Sequence, residues 1–200
     1  IIPTYNTNSN HLRECIESVC RQSYPNWELC ICDDSSSAVS VKTILRSYQS
    51  SDPRVKLIFR EKNGHICEAS NDALSLATGE YVALLDHDDI LADNALYWVA
   101  RELQKKPQAN LIYSDEDKIN DDGMRACPHF KPAFNIDLLL SYNFISHLGV
   151  YRREILKQIG GFRVGFEGSQ DHDLALRTVL ESSPDQIIHI PRVLYHWRAH

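Results

Sequence analysis

Three carboxylates within four residues, Asp86, Asp88 and Asp89, follow directly on the apolar run 81–85. Like charges that close repel, and a hard divalent cation such as Mn²⁺ or Mg²⁺ resolves the repulsion. Such an ion takes oxygen ligands and fills its shell with one or two carboxylates, waters and substrate phosphates. A plainer reading makes Asp89 a turn residue and Asp93 the N-cap of the segment that follows. Two further acidic groups deserve the same question. Asp33 and Asp34 end another apolar run, and Asp171 and Asp173 open an amphipathic segment.

The elements that would position these groups can be read from hydrophobic period. Short apolar runs at 1–3, 27–32, 55–59, 81–85 and 110–113 read as strands. Between them, Leu12, Cys15, Ile16, Val19 and Cys20 share one helical face, as do Val41, Ile44, Leu45 and Tyr48. Two more faces follow in Ala69, Ala73, Leu76 and Ala77, and in Leu96, Val99, Ala100 and Leu103. Gly79 sits where a left-handed helix C-cap is expected, and Pro107 closes the fourth helix. Alternating strands and helices of this length predict an α/β fold, Rossmann-like, with a mostly parallel central sheet flanked by helices on both faces. Beyond residue 113, "NDDG" at 120–123 reads as a hairpin turn and "NFISHLGVYR" as a later strand. Residues 171–181 read as a helix with Leu174, Ala175 and Leu180 inward. In open parallel sheets ligands bind beyond the carboxyl ends of the strands. "PTYN", Asp33–Asp34 and Asp86–Asp89 all fall at such ends, so one edge of the sheet should gather them.

Composition narrows the class of function. The 200 residues fit a single enzyme-sized domain, 43% hydrophobic and 24% charged, with no apolar stretch long enough to cross a bilayer. A net charge of -6 with scattered Lys and Arg argues against a nucleic-acid partner. Cys15, Cys20, Cys30, Cys32, Cys67 and Cys127 contain no CxxC pair and read as reduced thiols, mostly in the core of a cytoplasmic protein. The chain opens on what reads as mid-strand, as a piece of a longer protein would. Neither HExxH nor a Cys/His framework for zinc is present.

"IIPTYN", "CICDDSS", "NGHICEASNDALSLATGEYVALLDHDD", "GGF", "GSQDHDLALR" and "LYHWRAH" together resemble family 2 glycosyltransferases of the GT-A fold, over essentially the whole chain. "YSDEDKI" and "HWRAH" are most similar to bacterial enzymes of O-antigen and other surface-polysaccharide synthesis. The resemblance implies inverting transfer of a sugar from a nucleoside diphosphate sugar, a UDP-sugar in first place, to a saccharide or lipid-linked saccharide acceptor. It implies Mn²⁺ or Mg²⁺ as cofactor and a location in the cytoplasm, with peripheral contact at the inner membrane face. It assigns Pro3, Tyr5 and Asp34 to the nucleoside, Asp86 to the ribose and metal, Asp88 to direct metal coordination and His196 to the metal or diphosphate. It makes Asp171 the catalytic base. Residues 1–113 would form the nucleotide-binding half and 114–200 the acceptor-binding half, with "SDEDKINDDGMRACPHFKP" and "RVGFEGS" walling the acceptor pocket.

Elementary chemistry runs the same way. Loss of a nucleoside diphosphate leaves charge on its β-phosphate, which a bound cation stabilises. An acceptor hydroxyl needs a carboxylate to take its proton, worth roughly 10²–10⁴-fold. Asp171 opens a helix, whose positive end suits an anionic side chain, although simple capping by Asp171 and Asp173 would explain the same pattern. Arg198 could meet the diphosphate and Trp197 a sugar face. The chain departs from the family at Ser70–Asn71, where many members carry an Arg before the Asn, and at Gln170, where an acidic residue is common. It lacks the Q-x-x-R-W of processive polymerases, so one sugar per encounter is expected. The alternatives are a non-catalytic sugar-nucleotide-binding domain and a Mg²⁺-dependent phosphohydrolase using Asp86 as nucleophile. The latter lacks the Thr or Val expected two residues past the second Asp.

Overall fold

The computed structural model describes residues 1–199; the His200 that ends "HWRAH" lies outside the described residues. Strands β1 (Ile2–Thr4), β2 (Leu29–Asp33) and β3 (Val55–Phe59) pair in parallel in the order β1-β2-β3. They alternate with helices α1 (Ser9–Cys20), α2 (Val39–Ser51) and α3 (His65–Leu76). β4 (Tyr81–Ala83) lies on the other side of β1. There the Ile1 ammonium donates to Ala83 O at 2.8 Å and Leu85 N to Ile1 O at 3.2 Å, the spacing of a parallel pair. Strand order therefore reverses between β1 and β4, which opens a crevice at their carboxyl ends.

The second half is mixed. β5 (Ile90–Leu91) leads into α4 (Ala95–Lys105), and β6 (Leu111–Ile119) and β7 (Arg125–His129) form an antiparallel hairpin across "NDDG". Met124 N closes that turn on Asn120 Oδ1 at 2.8 Å. α5 (Ile136–Ser141), β8 (Gly149–Arg152), α6 (Arg153–Gln158), α7 (Gln170–Leu180) and β9 (Ile187–Arg198) complete the chain. β8 runs antiparallel between β4 and β6, and β9 runs parallel to β6 and antiparallel to β5. The α/β class and flanked central sheet are as expected, but parallel pairing dominates only the first half. Beyond residue 113 the hairpin and the return through β8 replace helical crossovers, so neighbouring strands there mostly oppose.

Several local expectations shift for visible reasons. α3 ends at Leu76 with Ala77 extended, and Gly79 does not take the left-handed conformation. Its N–H instead donates to Glu28 Oε1 at 2.7 Å. Asn94 rather than Asp93 precedes α4, without a side-chain cap. Leu174 and Ala175 are fully buried, but Leu180, the last residue of its helix, is 80% exposed. The six cysteines are unpaired, four of them buried and Cys127 exposed. Among the described residues no helix is long and apolar enough to cross a membrane.

Glu28 ties the amino ends of β2, β3 and β4 together through Lys56, the Thr78 N–H and hydroxyl, and the Gly79 N–H. Burial alone would raise its carboxyl, but the Lys56 ammonium and those donors outweigh it and hold the group at about 2. A depressed carboxyl stabilises the fold above its unfolded value, and the contribution fades as pH falls from about 4.5 towards 2. Glu28→Gln is expected to lower unfolding free energy at pH 7 by about 1–3 kcal/mol. Urea titrations at pH 7 and near pH 2 check it, with the gap between variant and parent closing at the acid end.

Candidate active site

The crevice is built from the turns that follow β1, β2 and β4. Asn6, just past β1, has φ of 45°, and Ser35, just past β2, has 62°. Non-glycine residues rarely hold that region unless their surroundings enforce it, and such positions gather at functional sites. Here the two turns enforce each other. Asn6 N donates to Ser36 Oγ at 2.9 Å, and Asn6 Oδ1 accepts from Ser37 N at 2.9 Å. Asp34 is buried, its N–H donating to Thr4 O at 2.8 Å. Its Oδ1 meets Arg60 Nε at 3.0 Å and accepts from Gly64 N at 2.9 Å. Arg60 also pairs with Glu68 and Asp72, so three carboxylates share this guanidinium. Tyr5 stands half exposed beside these turns.

After β4 the chain does not continue extended. Asp89 N donates to Asp86 O at 3.2 Å, a turn that brings residues three apart together rather than residues two apart. The family resemblance put the metal on Asp86 and Asp88, the two acids of the D-x-D in "DHD". The geometry instead gathers Asp86, Asp89 and His147, whose donor atoms all lie within 4.8 Å of one another. His147 Nε2 is 3.4 Å from Asp86 Oδ2, and the ring stacks on Tyr195 with centroids 4.6 Å apart. His147 Nδ1 is buried with no hydrogen-bond partner among the described residues. Asp89 is 1% exposed, accepting from the Tyr195 hydroxyl at 2.6 Å and from Arg198 N at 2.7 Å. Burial pushes its carboxyl up to about 7, against the pull of the Arg198 N–H and the Tyr195 hydroxyl.

The predicted residues thus divide. Pro3, Asp86 and Asp171 line one small cavity of about 30 Å³ together with Ser70, His147 and Gln170. Asp171 Oδ2 accepts from Asn143 Nδ2 at 2.8 Å and Oδ1 from His172 N at 2.9 Å, which fixes the carboxylate on the first turn of α7. Asp88 gives its carbonyl to Arg198 Nε at 2.8 Å, and its carboxylate is not one of the three clustered groups. His196 does not join them either. Its Nδ1 lies 2.6 Å from Asp117 Oδ1, and Arg125 holds the other oxygen of that carboxylate. Burial, against the pull of Asp117, draws the His196 imidazole below its ordinary value. Arg198 is committed as well, meeting Glu14 and Asp121 as it braces the Asp86–Asp89 turn. Trp197 is 43% exposed and packs edge-on against His147.

A much larger cavity, about 780 Å³, opens at the amino ends of β2 and β4 between Trp27, Val82 and Val99. It contains none of the predicted catalytic or metal residues. The acidic and imidazole groups gather instead in the crevice at the carboxyl ends, which encloses a smaller volume. Sequence reasoning did not single out His147 or Asn143; Asp89 is the turn residue it was read as, and its carboxylate also lies in the cluster. His147 lies in an otherwise apolar run, where a lone histidine reads as strand interior. "GGF" has a structural role. Asn71 exchanges two hydrogen bonds of 2.8 Å with the Phe162 backbone, and a Cβ on Gly161 (φ 67°) would fall 2.5 Å from Asn71 Oδ1.

Among proteins similar to this chain, the O-antigen biosynthesis protein RfbC of Myxococcus xanthus is 37% identical, over 99% of this chain and 15% of its own length. The chain spans about a fifth of the length of the curated relatives it matches (22%, 15% and 20% for three of them). Two solved structures share the fold. S. aureus TarS 1-349 in complex with UDP-GlcNAc has a TM-score of 0.80 at 21% identity, covering 100% of this chain and 57% of that one. The Pyrobaculum calidifontis mannosyltransferase PcManGT, in complex with GDP-Man and Mn²⁺, has a TM-score of 0.74 at 22% identity, covering 98% and 55%. With the model of glycosyl transferase family 2 matching residues 1–160, the chain belongs to that family.

Proposed function

We propose that this domain transfers a sugar from a nucleoside diphosphate sugar to an acceptor hydroxyl, one residue per encounter and with inversion, in the synthesis of a cell-surface polysaccharide. The observation that carries the reading is the meeting of Asp86, His147 and Asp171 around one cavity, beside the β1–β4 pairing where strand order reverses. Residues 1–113 would hold the donor, with Pro3, Tyr5 and Asp34 around the nucleoside. Residues 114–200 would hold the acceptor. A UDP-sugar is the first expectation, in keeping with the UDP-GlcNAc complex of TarS and with the UDP-glucose-dependent enzyme WfgD of Escherichia coli, 34% identical over 130 residues. Acceptors of saccharide or lipid-linked saccharide type would reach a cytoplasmic domain from the inner membrane face.

The donor set around Asp86 fits a divalent ion. Two carboxylates and an imidazole combine the oxygen ligands that suit Mg²⁺ and Mn²⁺ with a nitrogen that suits the transition metals, so Mn²⁺ is favoured. His147 Nε2, 3.4 Å from Asp86 Oδ2, is the nitrogen that would complete such a set. When bound, the ion would stabilise the charge on the departing diphosphate. Asp86, Asp89 and His147 would hold it, with Asp88 close by on the same turn. Asp171 would take the acceptor proton, oriented by Asn143. Inversion would require that base and the leaving group to act on opposite faces of the anomeric carbon.

A panel of nucleotide sugars, UDP, dTDP and GDP, assayed with Mn²⁺ for release of nucleoside diphosphate tests the proposal. Release stimulated by a saccharide acceptor and abolished by chelation is expected. Donor binding without turnover under any pairing would favour the non-catalytic alternative, and release of inorganic phosphate from a phosphomonoester would favour the phosphohydrolase.

A further inference from the structure

Lys131 lies close behind the site with its side chain 0% exposed. Its Nζ donates to Glu116 Oε2 at 3.0 Å, to Ile145 O at 2.7 Å and to His147 O. Three donors on one ammonium meet three acceptors, so the group is saturated. Glu116 Oε2 in turn accepts from His147 N at 3.1 Å. The next peptide is held by Ser114, whose N–H donates to Leu148 O at 3.2 Å and whose Oγ accepts from Leu148 N at 3.4 Å. Lys131 N is anchored on Asp115 Oδ1 at 2.9 Å, which also faces His189 Nε2 at 2.8 Å. Every backbone polar group of residues 147 and 148 is therefore gripped by β6 or by Lys131.

We propose that the Lys131–Glu116 pair is a positioning device for His147, setting its imidazole against Asp86; this rests on the reading of the site given above. A buried ion pair is a poor means of stabilising a core, since apolar residues of similar volume often do as well, whereas it can specify one backbone arrangement. The Lys131 ammonium and the Glu116 carboxylate are both buried, and taking two charges out of water carries a desolvation cost. What that cost secures is local. The His147 N–H and carbonyl are both fixed, and the ring is then confined between Tyr195 and Trp197. Neither Lys131 nor Glu116 lines the cavity, and of the groups they hold His147 is the one that does.

The test uses Lys131→Met and Glu116→Gln in the full chain, each alone and combined with His147→Ala. Mn²⁺ affinity is read by spin resonance of the free ion, and the His147 ring by its proton and nitrogen resonances. In the parent background each variant should weaken Mn²⁺ binding about 10–100-fold, the usual effect of losing a partner that orients a ligand, and should shift the His147 resonances. With His147→Ala present the same substitutions should have no further effect on Mn²⁺. Equal weakening in both backgrounds, or unchanged affinity and unchanged His147 resonances in a folded variant, overturns the proposal. Should Lys131→Met fail to fold, Glu116→Gln, which keeps size and shape, decides alone. If the parent itself binds no Mn²⁺, the metal reading falls, and the His147 resonances alone decide the positioning role, unchanged shifts overturning it.

Discussion

Asp171→Asn is expected to lower sugar transfer roughly 10²–10⁴-fold, the range of general-base assistance, while donor binding stays within about twofold of the parent. The substitution is nearly isosteric, and the surroundings tell where its effect must lie. Asp171 Oδ1 accepts from the His172 N–H and Oδ2 from Asn143, and an amide oxygen can replace only one of these acceptors. Nothing in that pair of contacts reaches the turns after β1 and β2, where the nucleoside is expected. An amide cannot take a proton from the acceptor hydroxyl, so the loss should fall on kcat, with the donor's dissociation constant largely unchanged. Calorimetric titration of a nucleoside diphosphate beside initial-rate measurements separates the two. Asn143→Ala should give a smaller fall in kcat, since it frees the carboxylate to rotate without removing it. Transfer at the parental rate in Asp171→Asn would remove this residue from the role of base and restore the simple capping reading of the α7 start.

How far such a site can be read before folding depends on whether its groups are positioned by local pattern or by distant partners. The four strand ends of the first half were legible because each is a short apolar run broken by polar residues, and the parallel order brings their carboxyl ends together without further information. α7 was legible from its period, although its final Leu180 points outward because the last turn of a helix runs beyond the surface that covers the rest. β6 was read as stopping near residue 113, yet it runs to Ile119. Its second half, "SDEDK", looks like a solvated loop because its burial depends on Lys131, His189 and His196, partners that lie 15–79 residues away. The same blindness hid His147. No periodicity can reveal that a histidine in an apolar run will be pressed against Asp86 by an ion pair from another hairpin.

His147→Ala and His196→Ala should therefore behave as opposites. Both histidines are buried and each lies beside a carboxylate, His147 Nε2 at 3.4 Å from Asp86 and His196 Nδ1 at 2.6 Å from Asp117. Family resemblance favoured His196 as the metal ligand, whereas the geometry favours His147, so the pair discriminates between them. Removing His147 takes one of three clustered donors away and should weaken Mn²⁺ binding at least about 100-fold, the upper end of what even an outer partner costs. Its cost to folding should come from lost packing against Tyr195 and Trp197 and not from Asp86, which is substantially exposed and can recruit water. Removing His196 should leave Mn²⁺ binding nearly unchanged but strip a neutral partner from Asp117, a 5% exposed carboxylate that, among the described residues, would then rely on Arg125. Losing one hydrogen bond to a buried charge costs about 1.5–3 kcal/mol, which urea unfolding would register. A loss of Mn²⁺ affinity confined to His196→Ala would instead move the cation to the far side of β9, away from the cavity that Asp86 shares with Asp171.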